Sequence, residues 1–162
     1  MSKEVVKIGD KAPDFELQRL DGGFFRLYEL LKKKNVVLYF YPKDSSSDCA
    51  KQACEFRDHY DTFCDLETEV VCISYDKADA HKRFERMYRL PFTLLSDCDA
   101  QIRNLYGVPR KFGIMPGRSI YVIDKKGEVQ YVFNSLSKPA EHVQQVLDVL
   151  YDLNHESLAE YA

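Results

Sequence analysis

The sequence predicts an α/β protein in which helices cover both faces of a mixed β-sheet. Residues 36–41 form a continuous apolar run that stops at Pro42, as expected for a strand buried on both faces. Apolar residues then recur at helical spacing along 49–64, and a second apolar run at 70–74 completes a β-α-β unit. An antiparallel hairpin and a last helix follow, which favours helices on both faces of a mixed sheet.

The remaining elements follow from local signals along the chain. Asp21, Gly22 and Gly23 separate two short apolar segments and predict a small hairpin. A turn ending in Gly127 separates residues 119–123 from 128–133 and predicts a second hairpin. We also predict helices at 27–32, at 78–88 and from Pro139 onward, and a short strand near 92–95. This order of elements is that of the thioredoxin-like architecture, and we expect one domain over residues 1–162.

Composition excludes several classes of function. The chain has 162 residues, of which 45% are hydrophobic and 30% charged, as in ordinary globular proteins. A net charge of -3 provides no basic field, so we expect no nucleic-acid partner. No stretch approaches the roughly 20 apolar residues of a membrane span, and the first residues lack a signal-peptide core. We therefore expect a cytoplasmic protein that does not enter a membrane.

Five cysteines, at positions 49, 54, 64, 72 and 98, need an explanation. Their number is odd and no Cys-x-x-Cys pair occurs, which disfavours both a disulfide scaffold and a structural zinc site. We expect no bound metal, and we interpret Cys64, Cys72 and Cys98 as packing residues. The residues alone leave Cys49 and Cys54 open as either packing residues or working thiols.

Cys49 stands where a buried strand gives way to a helix. Unpaired main-chain N–H groups and the helix dipole at such a position stabilise a thiolate. Ser45, Ser46 and Ser47 are residue types that cap helix starts, so this segment could be a plain N-cap. The Asp48 carboxylate opposes a thiolate beside it, and Arg118, directly before a predicted strand, is the candidate cation that could offset it.

The segment from Pro42 to Cys49, Pro-Lys-Asp-Ser-Ser-Ser-Asp-Cys, resembles the Pro-x-x-x-Thr-x-x-Cys signature of peroxiredoxins. Gln52-Ala-Cys54 followed by Arg57-Asp58 is similar to the bacterioferritin-comigratory protein / peroxiredoxin Q subgroup. Further segments match the family in order and spacing: 9–15, 90–97, 106–108 and 115–124. Ser46 replaces the usual threonine, Ser47-Asp48 replaces a common Pro-Gly pair, and Cys98 stands where proline is frequent.

The resemblance implies a thiol peroxidase without metal or organic cofactor. Cys49 would attack hydrogen peroxide or an organic hydroperoxide, and Cys54 would then form a disulfide with it. Ser46 and Arg118 would stabilise the leaving oxygen, and Pro42 would shape the pocket. The resemblance also implies a thioredoxin-type dithiol reductant as partner and a monomeric state.

Helix geometry adds a condition to this cycle. Cysteines five residues apart on an intact helix have Cα atoms about 8.6 Å apart, beyond the roughly 7 Å limit for a disulfide. We therefore predict that oxidation unwinds the helix near 49–54. Two alternatives remain open. The first is a general thiol–disulfide oxidoreductase, although that class normally uses Cys-x-x-Cys. The second is a redox sensor in which Asp48 lowers the reactivity of the Cys49 thiol.

Overall fold

The computed structural model describes residues 5–108, 110–111, 115–134 and 139–160. The strands are β1 (Glu16–Gln18), β2 (Phe24–Arg26), β3 (Asn35–Phe40), β4 (Thr68–Ser74), β5 (Thr93–Ser96), β6 (Arg110–Lys111), β7 (Met115–Pro116), β8 (Ser119–Ile123) and β9 (Val129–Asn134). The helices are α1 (Leu27–Leu31), α2 (Ser47–Asp58), α3 (Tyr60–Asp65), α4 (Ala78–Tyr88), α5 (Gln101–Tyr106) and α6 (Pro139–Glu160). None of these helices is long and apolar enough to cross a membrane.

The main sheet has five strands in the order β5-β4-β3-β8-β9. Strand β3 runs parallel to β4, which runs parallel to β5, whereas β8 lies antiparallel to both β3 and β9. This mixed sheet, with helices on both faces, confirms the predicted thioredoxin-like fold. The carboxyl end of the central strand β3 therefore opens onto the loop before α2, where ligand sites form in open α/β sheets.

Alternation along β3 divides the core into two clusters. Val37, Tyr39 and Tyr41 face one side, where they join residues of α2, α4 and α6. Val36, Leu38 and Phe40 face the other side, where they join residues of α1, α5 and the amino-terminal hairpin. All six side chains are fully buried. The continuous apolar run in the sequence thus reflects a strand that is covered on both faces.

Both predicted hairpins are present. Strands β1 and β2 pair across residues 19–23, and β8 pairs with β9 across the turn that contains Gly127. Gly127 has φ +86°, and a Cβ atom there would lie 2.7 Å from the Tyr28 hydroxyl oxygen. Any other residue would be strained at this positive φ, and its Cβ would displace the Tyr28 hydroxyl. The hydroxyl of Tyr28 in turn donates to the Ala12 carbonyl at 2.6 Å, which ties the turn to the start of the chain.

The prediction of one helix over residues 49–64 is wrong. The helix ends at Asp58 and a second begins at Tyr60, because His59 has φ -109° and ψ 12° and interrupts the α-conformation. The apolar stripe nevertheless continues through the break, since Phe56 and Phe63 both pack in the same cluster. Helix α5 and the short pair β6–β7 were not predicted.

Candidate active site

The strand-to-helix junction places Cys49 in the first turn of α2. Ser46 is the N-cap residue, and its Oγ accepts a hydrogen bond of 3.5 Å from the Cys49 main-chain N–H. Cys49 is only 1% exposed, in contact with the apolar cluster that contains Tyr39 and Phe56. The predicted position of Cys49 at a helix start is therefore confirmed. Because Ser46 Oγ is the acceptor in this bond, its own O–H stays free to donate to a ligand.

Arg118 reaches the same junction from the residue before β8. Its Nη1 donates to the main-chain carbonyl of Asp48 at 3.4 Å. The Asp48 side chain itself is exposed, and no salt bridge joins these two described residues. Arg118 thus lies at the junction next to Cys49, where it binds the main chain of Asp48 rather than its carboxylate. Water screens the exposed carboxylate, which reduces its opposition to a negative sulfur.

Tyr39 is a site residue that the sequence did not reveal. Its hydroxyl donates to the Cys49 carbonyl at 3.4 Å, and its ring stacks on Tyr41 with centroids 4.8 Å apart. Burial raises the pKa of Tyr39 well above its usual value, the nearby Cys49 adds to this, and a hydrogen bond from Arg118 opposes it. Tyr39 is therefore a neutral phenol in contact with both Cys49 and Arg118. Its place in an apolar strand gave it the pattern of a core residue.

Arg103 is a second unpredicted residue. It is only 2% exposed, stacks over the Tyr75 ring at 4.8 Å, and donates from Nη1 to the Gly117 carbonyl at 2.8 Å. Burial lowers the pKa of Arg103, which the negative charges of nearby groups, Cys49 among them, partly offset. A guanidinium remains charged under these conditions. Arg103 therefore holds the residue before Arg118 and adds a buried positive charge close enough to interact with Cys49.

Cys54 lies on the same helix as Cys49, and both are free thiols. Cys54 is half-buried, and burial raises the pKa of its thiol, with Arg57 opposing and Asp58 and Glu55 adding to the rise. Because α2 is continuous through both positions, the two thiols belong to a conformation that cannot form a disulfide between them. Both cysteines are therefore reduced in this structure.

Pro42 lies half-buried in the loop between β3 and α2. The same loop carries Asp44, which joins Asp76 and His81 in a buried cluster whose possible metal-ligating atoms lie within 4.8 Å of one another. Nδ1 of His81 is 2.8 Å from Asp44 Oδ2, a hydrogen-bonding distance. The direct contact leaves no space for an ion between these two atoms. The group is therefore better described as a hydrogen-bonded cluster beneath the loop.

A cavity of about 560 Å³ opens elsewhere, between the amino-terminal hairpin and α4. It is lined by Arg19, Lys82, Arg86, Phe92 and six further residues around them, including Glu85. None of the residues at the strand-to-helix junction lines it, so the cavity is not part of the candidate site.

Comparison with known proteins identifies the family. Residues 8–132 match the model of the AhpC/TSA family. Peroxiredoxin Q, chloroplastic, of Triticum aestivum is 46% identical over 91% of this chain and 68% of its own length, and that of Populus jackii is 47% identical over 91% and 70%. The crystal structure of peroxidoxin BcpB from Mycobacterium tuberculosis superposes with a TM-score of 0.83 at 35% identity, over 90% of this chain and 97% of that one.

The chain is a peroxiredoxin of the AhpC/TSA family, of the peroxiredoxin Q type.

The predicted cytoplasmic location is contradicted by these relatives. Those of Triticum aestivum, Oryza sativa, Populus jackii and Arabidopsis thaliana are named chloroplastic. They point to a plastid rather than to the cytoplasm. The cytoplasmic prediction rested on the lack of a membrane span and of a secretory signal core, and neither observation distinguishes a plastid from the cytoplasm.

The other three cysteines of this peroxiredoxin lie apart from the junction loop. Cys72 is fully buried in β4, where burial raises the pKa of its thiol well above the usual value. That position agrees with the prediction of a packing residue. Cys64 and Cys98 are exposed, so neither packs in the core. The prediction that they are packing residues is therefore wrong: Cys64 lies on the exposed side of the last turn of α3, and Cys98 lies in the turn between β5 and α5.

Proposed function

We propose that this peroxiredoxin reduces hydrogen peroxide and organic hydroperoxides with Cys49, and that Cys54 recycles it through an intramolecular disulfide. The observation that carries the proposal is the buried Cys49 in the first turn of α2, with Ser46 Oγ on its main-chain N–H and the Arg118 guanidinium on the carbonyl of the preceding residue, Asp48. Helix N–H groups, the Ser46 hydroxyl and the Arg118 guanidinium would stabilise the negative charge that develops there. Pro42, at the edge of the loop, would shape the entrance.

In the first step the Cys49 thiolate attacks the terminal oxygen of the hydroperoxide. An S–O bond forms while the O–O bond breaks, so that Cys49 becomes a sulfenic acid and the departing alkoxide or hydroxide takes up a proton. Arg118 and the Ser46 O–H would donate to the oxygen that gains charge. Such preorganised donors are worth roughly 10²–10³ in rate each. Arg103 would add a fixed positive charge nearby.

In the second step α2 opens near its start and Cys54 reaches Cys49. Its sulfur displaces the sulfenic hydroxyl, which leaves as water, and a disulfide remains. Opening also releases Cys54 from the burial that raises its pKa, and so favours its thiolate. The unwound segment would expose the disulfide to a thioredoxin-type dithiol, which restores both thiols. We expect the protein to work as a monomer, without metal or organic cofactor, in the plastid location that its relatives indicate.

A general thiol–disulfide oxidoreductase is less well supported, because exchange requires an accessible attacking sulfur and Cys49 is 1% exposed. A redox sensor would use the same Cys49 chemistry but would be oxidised once, whereas an enzyme turns over with its reductant. The Asp48 carboxylate is exposed to water, which screens its charge and limits its effect on the reactivity of the Cys49 thiol.

Peroxide consumption coupled to thioredoxin and thioredoxin reductase tests the proposal. Cys49→Ser should abolish activity. Cys54→Ser should retain the first oxidation and accumulate sulfenic acid while it loses recycling by thioredoxin. Cys64→Ser, a change of an exposed cysteine outside the site, serves as the matched control and should keep wild-type turnover. Activity that survives Cys49→Ser would refute the assignment, and single oxidation without turnover would favour the sensor.

A further inference from the structure

A buried hydrogen-bonded cluster lies beneath the loop that leads to Cys49, and the mechanism above does not use it. His81, in the first turns of α4, has no exposed surface. Its Nδ1 lies 2.8 Å from Asp44 Oδ2, and its Nε2 lies 3.0 Å from Ser74 Oγ and 3.1 Å from the Leu95 carbonyl oxygen. A fully buried histidine whose two ring nitrogens are both engaged is tightly held by three different elements.

The partners of His81 define where its protons are. A carbonyl oxygen can only accept, so the contact with Leu95 requires a proton on Nε2. On the other side of the ring, Nδ1 and Asp44 Oδ2 have no other hydrogen-bond partner among the described residues. Without a proton between them, two lone pairs would face each other at 2.8 Å. One proton is therefore shared by His81 and Asp44, in a contact that is closed to solvent.

Asp44 makes two further hydrogen bonds, one through its carboxylate and one through its main-chain N–H. Its second carboxylate oxygen accepts from the Tyr41 hydroxyl at 2.6 Å, and its main-chain N–H donates to Asp76 Oδ2 at 2.6 Å. The same Asp76 oxygen accepts from Ser74 Oγ at 2.9 Å. Asp44 thus connects the loop to the end of β4 and to α4, whose residues Ser74 and His81 are buried.

Asp44 lies close in sequence to Ser46 and Cys49, the residues proposed to act on the peroxide. Asp44 precedes Ser46, the N-cap of α2, by two positions, and the Ser46 main-chain N–H donates back to Lys43 within the same turn. Tyr41, bonded to Asp44, stacks on Tyr39, which bonds to the Cys49 carbonyl. A shift of Asp44 would therefore reach Cys49 by two routes, through the loop backbone and through the two stacked tyrosines.

We propose that Asp44 and His81 form a buried positioning dyad that holds residues 42–46 in the geometry required for attack on a peroxide. The inference rests on the proposed role of Cys49. Neither residue touches the substrate. The dyad acts through the backbone of the loop, which holds Pro42 and Ser46 in position next to Cys49. Rate depends steeply on such placement, since a displacement of about 1 Å can cost about 10²-fold.

The test compares two reactions of the same sulfur in His81→Gln, Asp44→Asn and the double variant. His155→Gln, a change of an exposed histidine on α6, is the matched control. The first reaction is single-turnover oxidation by hydrogen peroxide, which needs the positioned donors. The second is alkylation of Cys49 by iodoacetamide, which does not use the loop geometry. Their ratio separates a positioning effect from general damage to the fold.

We expect each single variant to lose about 10- to 100-fold in the peroxide rate, while alkylation changes less than about twofold. The double variant should lose little more than the worse single variant, because both changes remove the same contact. A peroxide rate within about twofold of wild type in Asp44→Asn, or equal losses in both reactions, would overturn the proposal. If His81→Gln does not fold, Asp44→Asn decides alone, since that residue lies in a loop.

The control separates this inference from the proposed function. If wild type and His155→Gln oxidise Cys49 normally while Asp44→Asn does so too, only the dyad is refuted. If wild type itself shows no peroxide reaction at Cys49, the proposed function fails, and the dyad fails with it.

Discussion

Replacing Lys51 by glycine should accelerate disulfide formation without changing the first oxidation. Lys51 is an exposed residue of α2 between the two cysteines. The Ala50 N–H donates to the Ser46 carbonyl at 3.0 Å, and opening the helix from there through Cys54 breaks about five main-chain hydrogen bonds. At about 1 kcal/mol each, opening costs about 5 kcal/mol, so about one molecule in 10⁴ is open.

Glycine lowers this cost, because it is about 1 kcal/mol less favourable than alanine inside a helix. If opening precedes disulfide formation, Lys51→Gly should form the disulfide about fivefold faster than Lys51→Ala. Both variants remove the lysine charge, so their comparison isolates helix propensity. The first oxidation by peroxide should be equal in the two, since Cys49 and its donors are unchanged.

The assay mixes reduced protein with one equivalent of peroxide and stops the reaction at intervals with a sulfenic-acid-specific trap. Mass spectrometry then gives the fractions of thiol, sulfenic acid and disulfide at each time. Hydrogen exchange on the oxidised protein reports whether the N–H groups near residues 50–54 lose protection. Equal rates of disulfide formation in the glycine and alanine variants would refute helix opening as the step before disulfide formation, as would full protection in a disulfide-linked protein.

Three further changes test the site and the core. Arg118→Ala should lower the single-turnover peroxide rate by about 10²–10³, with unchanged circular dichroism; a loss below tenfold would contradict its role as a donor. Glu69→Gln should flatten the pH dependence of the free energy of unfolding in urea. Burial raises the pKa of Glu69 above its usual 4.5, with Lys34 opposing the rise. The wild type therefore loses stability as the pH rises from 4.5 through this raised pKa, whereas the glutamine variant does not. Phe56→Ala should reduce the free energy of unfolding by about 3–5 kcal/mol, since its ring is fully buried; a loss under 1 kcal/mol would contradict the packing described.

Local patterns predicted the framework because each depends on neighbours in sequence. The apolar run of β3, the hairpin turn at Gly127 and helix α4 at Ala78–Tyr88 all follow from such patterns. The break at His59 was missed because the apolar stripe runs through it unchanged. Helix α5 has only six residues, and its start is held by the Asp97 carboxylate, which accepts from the N–H groups of Ile102 and Arg103.

The site was predictable only where a motif marked it. The family motif marked Ser46, Cys49 and Arg118 as candidates, and the structure brings the three to one junction. Tyr39 and Arg103 reach the junction through contacts between distant segments, and their sequence neighbours are those of an ordinary strand and helix. The pairing of Asp44 with His81, 37 positions later, likewise depends on the packing of α4 against β4 and the junction loop. An Asp–Tyr–His cluster of this kind leaves no periodic signal.

The central claim is that peroxide first oxidises Cys49 and that the product is a disulfide to Cys54. Peptide mapping after one equivalent of hydrogen peroxide tests it most directly, because all five cysteines are free at the start. We predict a single new linkage between Cys49 and Cys54 in wild type, and a sulfenic acid on Cys49 in Cys54→Ser. Oxidation that appears first on the exposed Cys64 or Cys98, with Cys49 still reduced, would contradict the account.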